Sequence, residues 1–158
     1  MTSAFAAPAN QLTIHTPLGE LTLSEVNGAI VALDWGRGAR QQSTRSLREA
    51  ARQLNAYFDD RLTRFDLPLK PHGTPFQFSV WKAMRRIPFG QTRSYGELAR
   101  TVRNGARAVG MACARNPIPI IVPCHRVTAA SGALGGFSGG DGLATKLALL
   151  RLERAILT

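Results

Sequence analysis

Proline and glycine punctuate the second half of this chain so closely that only short elements can form there. Pro75, Pro88, Gly90, Gly105, Pro117, Pro119 and Pro123 all fall between residues 75 and 123. Proline inside a helix removes a donor and clashes with the preceding turn, and glycine after a periodic stretch ends it. The segments left between these breaks carry helical spacing. Thr74-Pro75-Phe76-Gln77 offers an N-cap, proline at the first helical position and glutamine at the third. The helix it opens carries Phe76, Val80, Ala83, Met84 and Ile87 on one face and stops at Pro88-Phe89-Gly90. Ser94 and Glu97 make a capping box for a helix from Tyr95 to about Val102. Asn104-Gly105 turns the chain, and Ala106 to Arg115 forms the next helix. Two short helices joined by a tight glycine-containing turn are the helix-turn-helix pattern.

The first half reads differently. "LTIHT", a turn at Pro17-Leu18-Gly19, "ELTLSEV", Asn27-Gly28 and "AIVALDW" predict three strands, and Asn-Gly between apolar runs is a strong hairpin signal. Ser46 and Glu49 are read as a capping box opening a helix to about Phe58, with Leu47, Ala51, Leu54 and Phe58 on one face. "RFDLPLKPHG" is read as a short strand and linker. The expectation is an α/β chain of the α+β kind: a leader over 1–10, an N-terminal sheet-and-helix domain over 11–70, and a mostly helical domain over 71–158. The start, "MTSAFAAPANQ", lacks the basic and apolar regions of a signal peptide.

Charge narrows the function classes. The 158 residues carry 20 Lys+Arg against 10 Asp+Glu, a net charge of +10. That excess favours polyanionic partners, nucleic acid ahead of a membrane surface, because no stretch reads as a basic amphipathic membrane helix. The helix from Ala106 supports this reading. Ala106, Gly110 and Ala114 fall on one side, so the backbone can approach another surface closely, with Arg107 beside that face and Arg103 and Arg115 at its ends. Tight helix packing is the competing explanation. No apolar run approaches a membrane span, and a cytoplasmic location is expected. Two cysteines and three scattered histidines give no zinc-ligand spacing.

The chemistry is expected at "NPIPIIVPCHRV", residues 116–127. "IPIIV" is read as a short buried strand ended by Pro123, which puts Cys124 at a turn where exposed N–H groups would favour a thiolate. A free thiol is only a few per cent ionised at neutral pH, and lowering its pKa by about two units corresponds to about 2.7 kcal/mol. His125 and Arg126 are placed to provide part of that. Cys113, among alanines, reads as structural. Glu153 borders the apolar stripe of the last helix and is either a surface glutamate or the partner of His125, which would complete a Cys–His–Glu set.

Three ordered stretches, "IPFGQTRSYGELA", "ARAVGMACARNPIPIIVPCHRV" and "GGFSGG", together resemble the O6-alkylguanine-DNA alkyltransferases, the methylated-DNA–protein-cysteine methyltransferases. The resemblance runs from about Phe76 to Glu153. It implies a ribonuclease H-like N-terminal domain and a winged-helix-like C-terminal one that binds double-stranded DNA carrying O6-alkylguanine, with the recognition helix in the minor groove. It further implies rotation of the damaged base out of the stack and irreversible transfer of its alkyl group to a cysteine. Cys124 then matches the acceptor, His125 the base that deprotonates it through a water, and Glu153 the carboxylate that orients the histidine. Tyr95 matches the tyrosine that promotes rotation and helps protonate the leaving guanine. Asn116 matches the asparagine joining the DNA-binding helix to the site.

Arg107 matches the arginine that fills the vacated space. Ala106, Gly110, Arg115, Ser94 and Arg126 join it as candidate DNA contacts, and Pro119, Val127, Phe137 and Ser138 as pocket residues. No cofactor or metal is implied, and the protein is expected to act as a monomer. Against the family pattern, the turn "RTVRNGA" is shorter, Phe137 stands where tyrosine is common, and "SGGDGLATK" is longer. The competing readings are a lesion-recognition protein that binds without efficient transfer, a regulator, and a catalytic thiol enzyme. Cys124 argues against the first, and the lack of a cysteine-rich metal domain against the second.

Overall fold

The structure, a computed structural model, describes residues 9–130, 133–137 and 139–156. The leader read over 1–10 lies outside these up to residue 8, and Asn10 already belongs to the first strand. Ser138 also lies outside them. The chain divides between His72 and Gly73 into two compact units.

The first unit is a three-stranded antiparallel sheet, β1 (Asn10–Thr16), β2 (Gly19–Val26) and β3 (Ala29–Trp35), in sequential order, followed by helix α1 (Arg45–Phe58). Asn27 (φ 50°) and Gly28 (φ 84°) both take the left-handed conformation that a two-residue hairpin turn requires. Register pairs Ile14 with Leu21 and Leu23 with Leu33, and Leu21, Leu23, Ile30, Leu33, Leu47, Leu54 and Tyr57 make the core. Two expectations are corrected here. Thr44, not Ser46, caps α1, its Oγ1 accepting from Leu47 N at 3.2 Å. Glu49, which points along the helix, holds Arg52 and Gln53 instead. The stretch around Leu69 forms a single bridge to Ile30 rather than a strand, because Pro68 and Pro71 deny it a ladder.

The second unit holds helices α2 (Pro75–Arg85), α3 (Tyr95–Val102), α4 (Ala106–Ala114) and α5 (Leu143–Leu152). Both expected capping boxes are present: Thr74 with Gln77 on α2, and Ser94 with Glu97 on α3. Arg103 closes α3 in the left-handed conformation and Gly105 caps α4, which makes the helix-turn-helix. Trp81 Nε1 donates to Ala112 O at 2.9 Å and ties α2 to α4. A short parallel pair, β4 (Arg93–Ser94) with β5 (Val127–Thr128), joins the start of α3 to the residues just past Cys124.

"IPIIV" is not a strand. Its residues are buried, but Pro117, Pro119 and Pro123 remove the donors a ladder needs, and the segment folds into consecutive turns instead. Ile120 is left at φ 73°, a conformation costing a β-branched residue about 1–2 kcal/mol. The Asn116 side chain supplies what the prolines remove, with Nδ2 donating to Val122 O at 2.8 Å and Oδ1 accepting from Ile118 N at 3.0 Å. Asn116→Ala therefore leaves two backbone groups without these partners and is expected to destabilise by about 2–3 kcal/mol. The midpoint of denaturant unfolding reads this directly; a loss under about 0.5 kcal/mol would mean the turns hold without the amide.

Candidate active site

Cys124 opens a single turn of 3₁₀ helix, Cys124–Arg126, placed where the proline-locked turns end and β5 begins. The turn has three consequences. It brings the backbone N–H groups of Cys124 and His125 close enough to favour an ionised sulfur, it turns His125 and Arg126 inward, and it leaves the thiol half-buried. Asn116, which organises the preceding turns, also lies where its amide favours the ionised sulfur.

His125 is fully buried, with Nε2 at 2.7 Å from Glu153 Oε2. Glu153 caps the C-terminal end of α5 and is itself buried. Arg126 completes the set: Nε donates to Glu153 Oε1 at 2.8 Å, one terminal nitrogen to Oε2 at 3.0 Å, and the other to Ile87 O at 2.7 Å. Arg126 is therefore no DNA contact. Its guanidinium is spent on an internal carboxylate and an internal carbonyl, and it neutralises a charge the core could not otherwise hold.

These partners set the protonation states. Burial pushes the Glu153 carboxyl up, but hydrogen bonds and charge from His125 and Arg126 outweigh that and hold it at about 2. Burial pushes His125 below its ordinary 6.5, against the pull of Glu153, so the imidazole is neutral at pH 7. An ionised Glu153 takes the proton on Nε2, which leaves Nδ1 bare. Nδ1 is buried and without a hydrogen-bond partner among the described residues. A buried unsatisfied acceptor one residue from a thiol is a base waiting for a proton.

Cys124 departs from the expected lowered pKa. Burial, the dominant influence, pushes the thiol up; the Asn116 amide, the Lys146 ammonium and the two backbone N–H groups oppose this without overcoming it. The resting site thus holds a thiol, and its proton must be removed. Neither the His125 ring nor Arg126 supplies the positive charge expected of it. Cys113 is pushed up as well, to about 12, chiefly by burial, with Sγ packed at 3.5 Å on Met84 Sδ.

Tyr95, at the first position of α3, is half-buried, and burial together with the two thiols pushes its hydroxyl above the ordinary value, so it is protonated at neutral pH. Gly135 (φ 73°) lies against it: a Cβ there would sit 3.0 Å from Tyr95 Cε2 and 3.3 Å from the hydroxyl. Only glycine fits both the backbone and that ring. Val127 is a second correction. Its side chain is wholly buried and its carbonyl is taken by Lys146, so the side chain offers no surface to a substrate. Pro119 is buried in the turn segment, and Phe137 is half-buried.

On α4, Val109, Ala112 and Cys113 face inward, while Ala106, Arg107, Met111, Ala114 and Arg115 are exposed and a Cβ on Gly110 would meet open space. Ser94 uses its hydroxyl to cap α3. Residues 73–158 carry twelve Lys+Arg against three Asp+Glu, and residues 1–72 eight against seven, so the second unit holds nearly all of the net charge.

Sequence reasoning missed Gly135 and Lys146. Lys146 had a signal: it shares a helical face with Leu149, Leu150 and Glu153, and a lysine on an apolar face needs a reason.

Comparison with known proteins bears on this arrangement directly. Residues 75–155 match the 6-O-methylguanine DNA methyltransferase, DNA binding domain, and residues 11–71 the ribonuclease-like domain of the same proteins. The chain belongs to the 6-O-methylguanine DNA methyltransferase family. It is 43% identical over 149 residues to the methylated-DNA–protein-cysteine methyltransferase of Methanosarcina acetivorans, covering 88% of this chain and 94% of that one. The constitutive enzyme of that name from Bacillus subtilis is 42% identical over 155 residues, covering 90% and 93%. Among solved structures, Mycobacterium tuberculosis OGT in complex with DNA superposes with a TM-score of 0.83 at 47% identity, covering 92% and 93%. The family's activity is direct-reversal DNA repair, a methyltransferase reaction whose acceptor is a protein cysteine.

The family site depends on acid-sensitive groups. The depressed carboxyl of Glu153 contributes stability that is present above its unfolded value of 4.5 and lost as pH falls toward 2. The depressed His125 contributes stability that is present above 6.5 and lost below it. At pH 7, Glu153→Gln leaves Arg126 buried and unpaired and is expected to cost about 3–5 kcal/mol. The gap to the native chain should narrow as pH falls from 4.5 to 2. Unfolding free energies across that range test this, and a gap independent of pH would contradict the ionised clamp.

Proposed function

We propose that this protein repairs O6-alkylguanine in double-stranded DNA by moving the alkyl group irreversibly onto its own Cys124, once per molecule. The observation that carries the reading is the bare, buried Nδ1 of a neutral His125 whose other nitrogen is fixed by Glu153, directly beside Cys124 in the chain. His125 takes the thiol proton, through a bridging water, as sulfur attacks the alkyl carbon in line. The C–O6 bond breaks as the S–C bond forms. The protonated Tyr95 hydroxyl gives its proton to the departing guanine, which leaves neutral. The thioether has no route back to a thiol, so the reaction is stoichiometric and needs no cofactor.

DNA enters through the helix-turn-helix. The exposed small-residue face of α4 suits close approach to a groove, and the charge excess of residues 73–158 supplies salt-sensitive, sequence-independent affinity, to which Arg115 contributes. Arg107, exposed on that face, is assigned to the space a rotated base leaves behind, where it offsets part of a flipping cost of a few kcal/mol. Phe137 and the adjoining Ser138 are assigned to the pocket wall. The protein acts as a monomer in the cytoplasm, and O4-alkylthymine falls within the same chemistry.

Incubation with an oligonucleotide carrying one O6-methylguanine, followed by intact mass and peptide mapping, tests the reading. One methylene gained on Cys124, saturating at one per protein and absent in Cys124→Ala, is expected. Lesion binding without any gain would leave a recognition protein instead. Arg107→Ala should slow repair in duplex DNA by about ten- to a hundredfold while sparing transfer from free O6-benzylguanine. Equal slowing of both would remove the stacking role.

A further inference from the structure

Helix α4 turns an uneven surface outward. Its inward side is filled by Val109, Ala112 and Cys113, where Trp81 of α2 holds the Ala112 carbonyl and Met84 packs on the Cys113 sulfur. Met111 stands outside this packing at 54% exposure, the most exposed of the three large apolar side chains at the surface among the described residues. A single exposed apolar residue needs no explanation of its own. The neighbours of Met111 set it apart.

Residues four apart on a helix are surface neighbours and lie about 6 Å apart along its axis. Arg107, Met111 and Arg115 therefore form one row, the thioether midway between two exposed arginines. Around that row the surface is trimmed to Ala108, Gly110 and Ala114, and a Cβ added to Gly110 would meet open space. Met111 is thus the one long side chain between the two arginines, and a surface that α4 approaches closely meets it first.

The arginines at its ends define that surface. Arg115 is assigned above to salt-sensitive affinity, a phosphate contact, and Arg107 to the space left by a rotated base. Between those two points a duplex offers the deoxyribose wall of its groove, which is apolar and carries no base identity. Apolar side chains, methionine among them, are a common device of proteins that enter the minor groove. A thioether demands no hydrogen bond and adapts its shape to an irregular wall.

We propose that Met111 is a DNA-contacting residue, its thioether packed on deoxyribose rings of the groove next to the rotated nucleotide. It supplies a salt-insensitive share of the affinity, and the arginines supply the salt-sensitive share. The contact selects no base, as a protein that must find its lesion in any sequence requires. The proposal rests on the reading that duplex DNA enters along α4.

The test is equilibrium binding to a short unmodified duplex across a range of salt concentrations, for the native chain, Met111→Ala, Met111→Gln, Met111→Leu and Arg115→Ala. An unmodified duplex keeps alkyl transfer out of the readout. Met111→Ala should bind about five- to twentyfold more weakly at every salt concentration, with the slope of log affinity against log salt unchanged. Met111→Gln, as long but polar, should be as weak, and Met111→Leu should return to within about threefold of the native chain. Arg115→Ala should instead flatten the slope by about one.

Native affinity in Met111→Ala or Met111→Gln, or a slope that flattens in Met111→Ala, would overturn the proposal. The arginine variant separates this from the reading beneath it. A flattened slope in Arg115→Ala beside an unmoved Met111→Ala removes the methionine contact alone. No effect of either variant removes the entry of DNA along α4 as well. Met111 is more than half exposed, so its variants keep the fold, which their unfolding midpoints check.

Discussion

The Glu153 carboxylate, buried between His125 and Arg126, is the interaction on which the rest of the site depends. It is a single group at the end of α5, yet it fixes both residues that follow the nucleophile. Arg126 spans from it to the carbonyl of Ile87, so the end of α2, the 3₁₀ turn and α5 are joined through one charge. Remove the carboxylate and three things fail together: the tautomer of His125, the neutralisation of Arg126, and the tie to the Ile87 turn. A structural salt bridge and an orienting group for a base are here the same atoms.

Around Cys124 two influences compete. Burial favours the neutral thiol, whereas Asn116, Lys146 and two backbone N–H groups favour the thiolate. Burial prevails at rest. This suits a protein that reacts once, because a permanently exposed thiolate would be consumed by any electrophile before it met a lesion. The donors already in place lower the cost of ionisation at the moment His125 accepts the proton, with no rearrangement needed. Tyr95 is kept protonated by the same burial, so acid and base are set by one environment.

Much of this was legible in the sequence, and the failures have physical causes. The helix boundaries at Thr74, Ser94 and Gly105 were readable because capping chemistry is local. The hairpin at Asn27-Gly28 was readable because so few residues accept its two left-handed positions. The segment before Cys124 was misread because an apolar run says that a stretch is buried, not how its backbone is satisfied; three prolines and Asn116 decided that. The α1 cap was misplaced by two residues because Thr44 and Ser46 offer the same chemistry.

Arg126 was assigned to the thiol and to DNA, and nothing local says that a buried carboxylate lies 27 positions away in the chain. Val127 was placed on a pocket wall, and its side chain is core. Lys146 was overlooked because lysine is ordinarily a surface residue, although its helical face argued otherwise.

The account's central claim is that His125 waits as a neutral base with its proton on Nε2 and Nδ1 free. The most direct measurement is the ¹⁵N NMR spectrum of the His125 imidazole in the resting protein at pH 7. The account predicts one protonated and one bare nitrogen, the bare one assigned to Nδ1. A doubly protonated ring, or a proton on Nδ1, would contradict it, since neither form can accept the proton of Cys124.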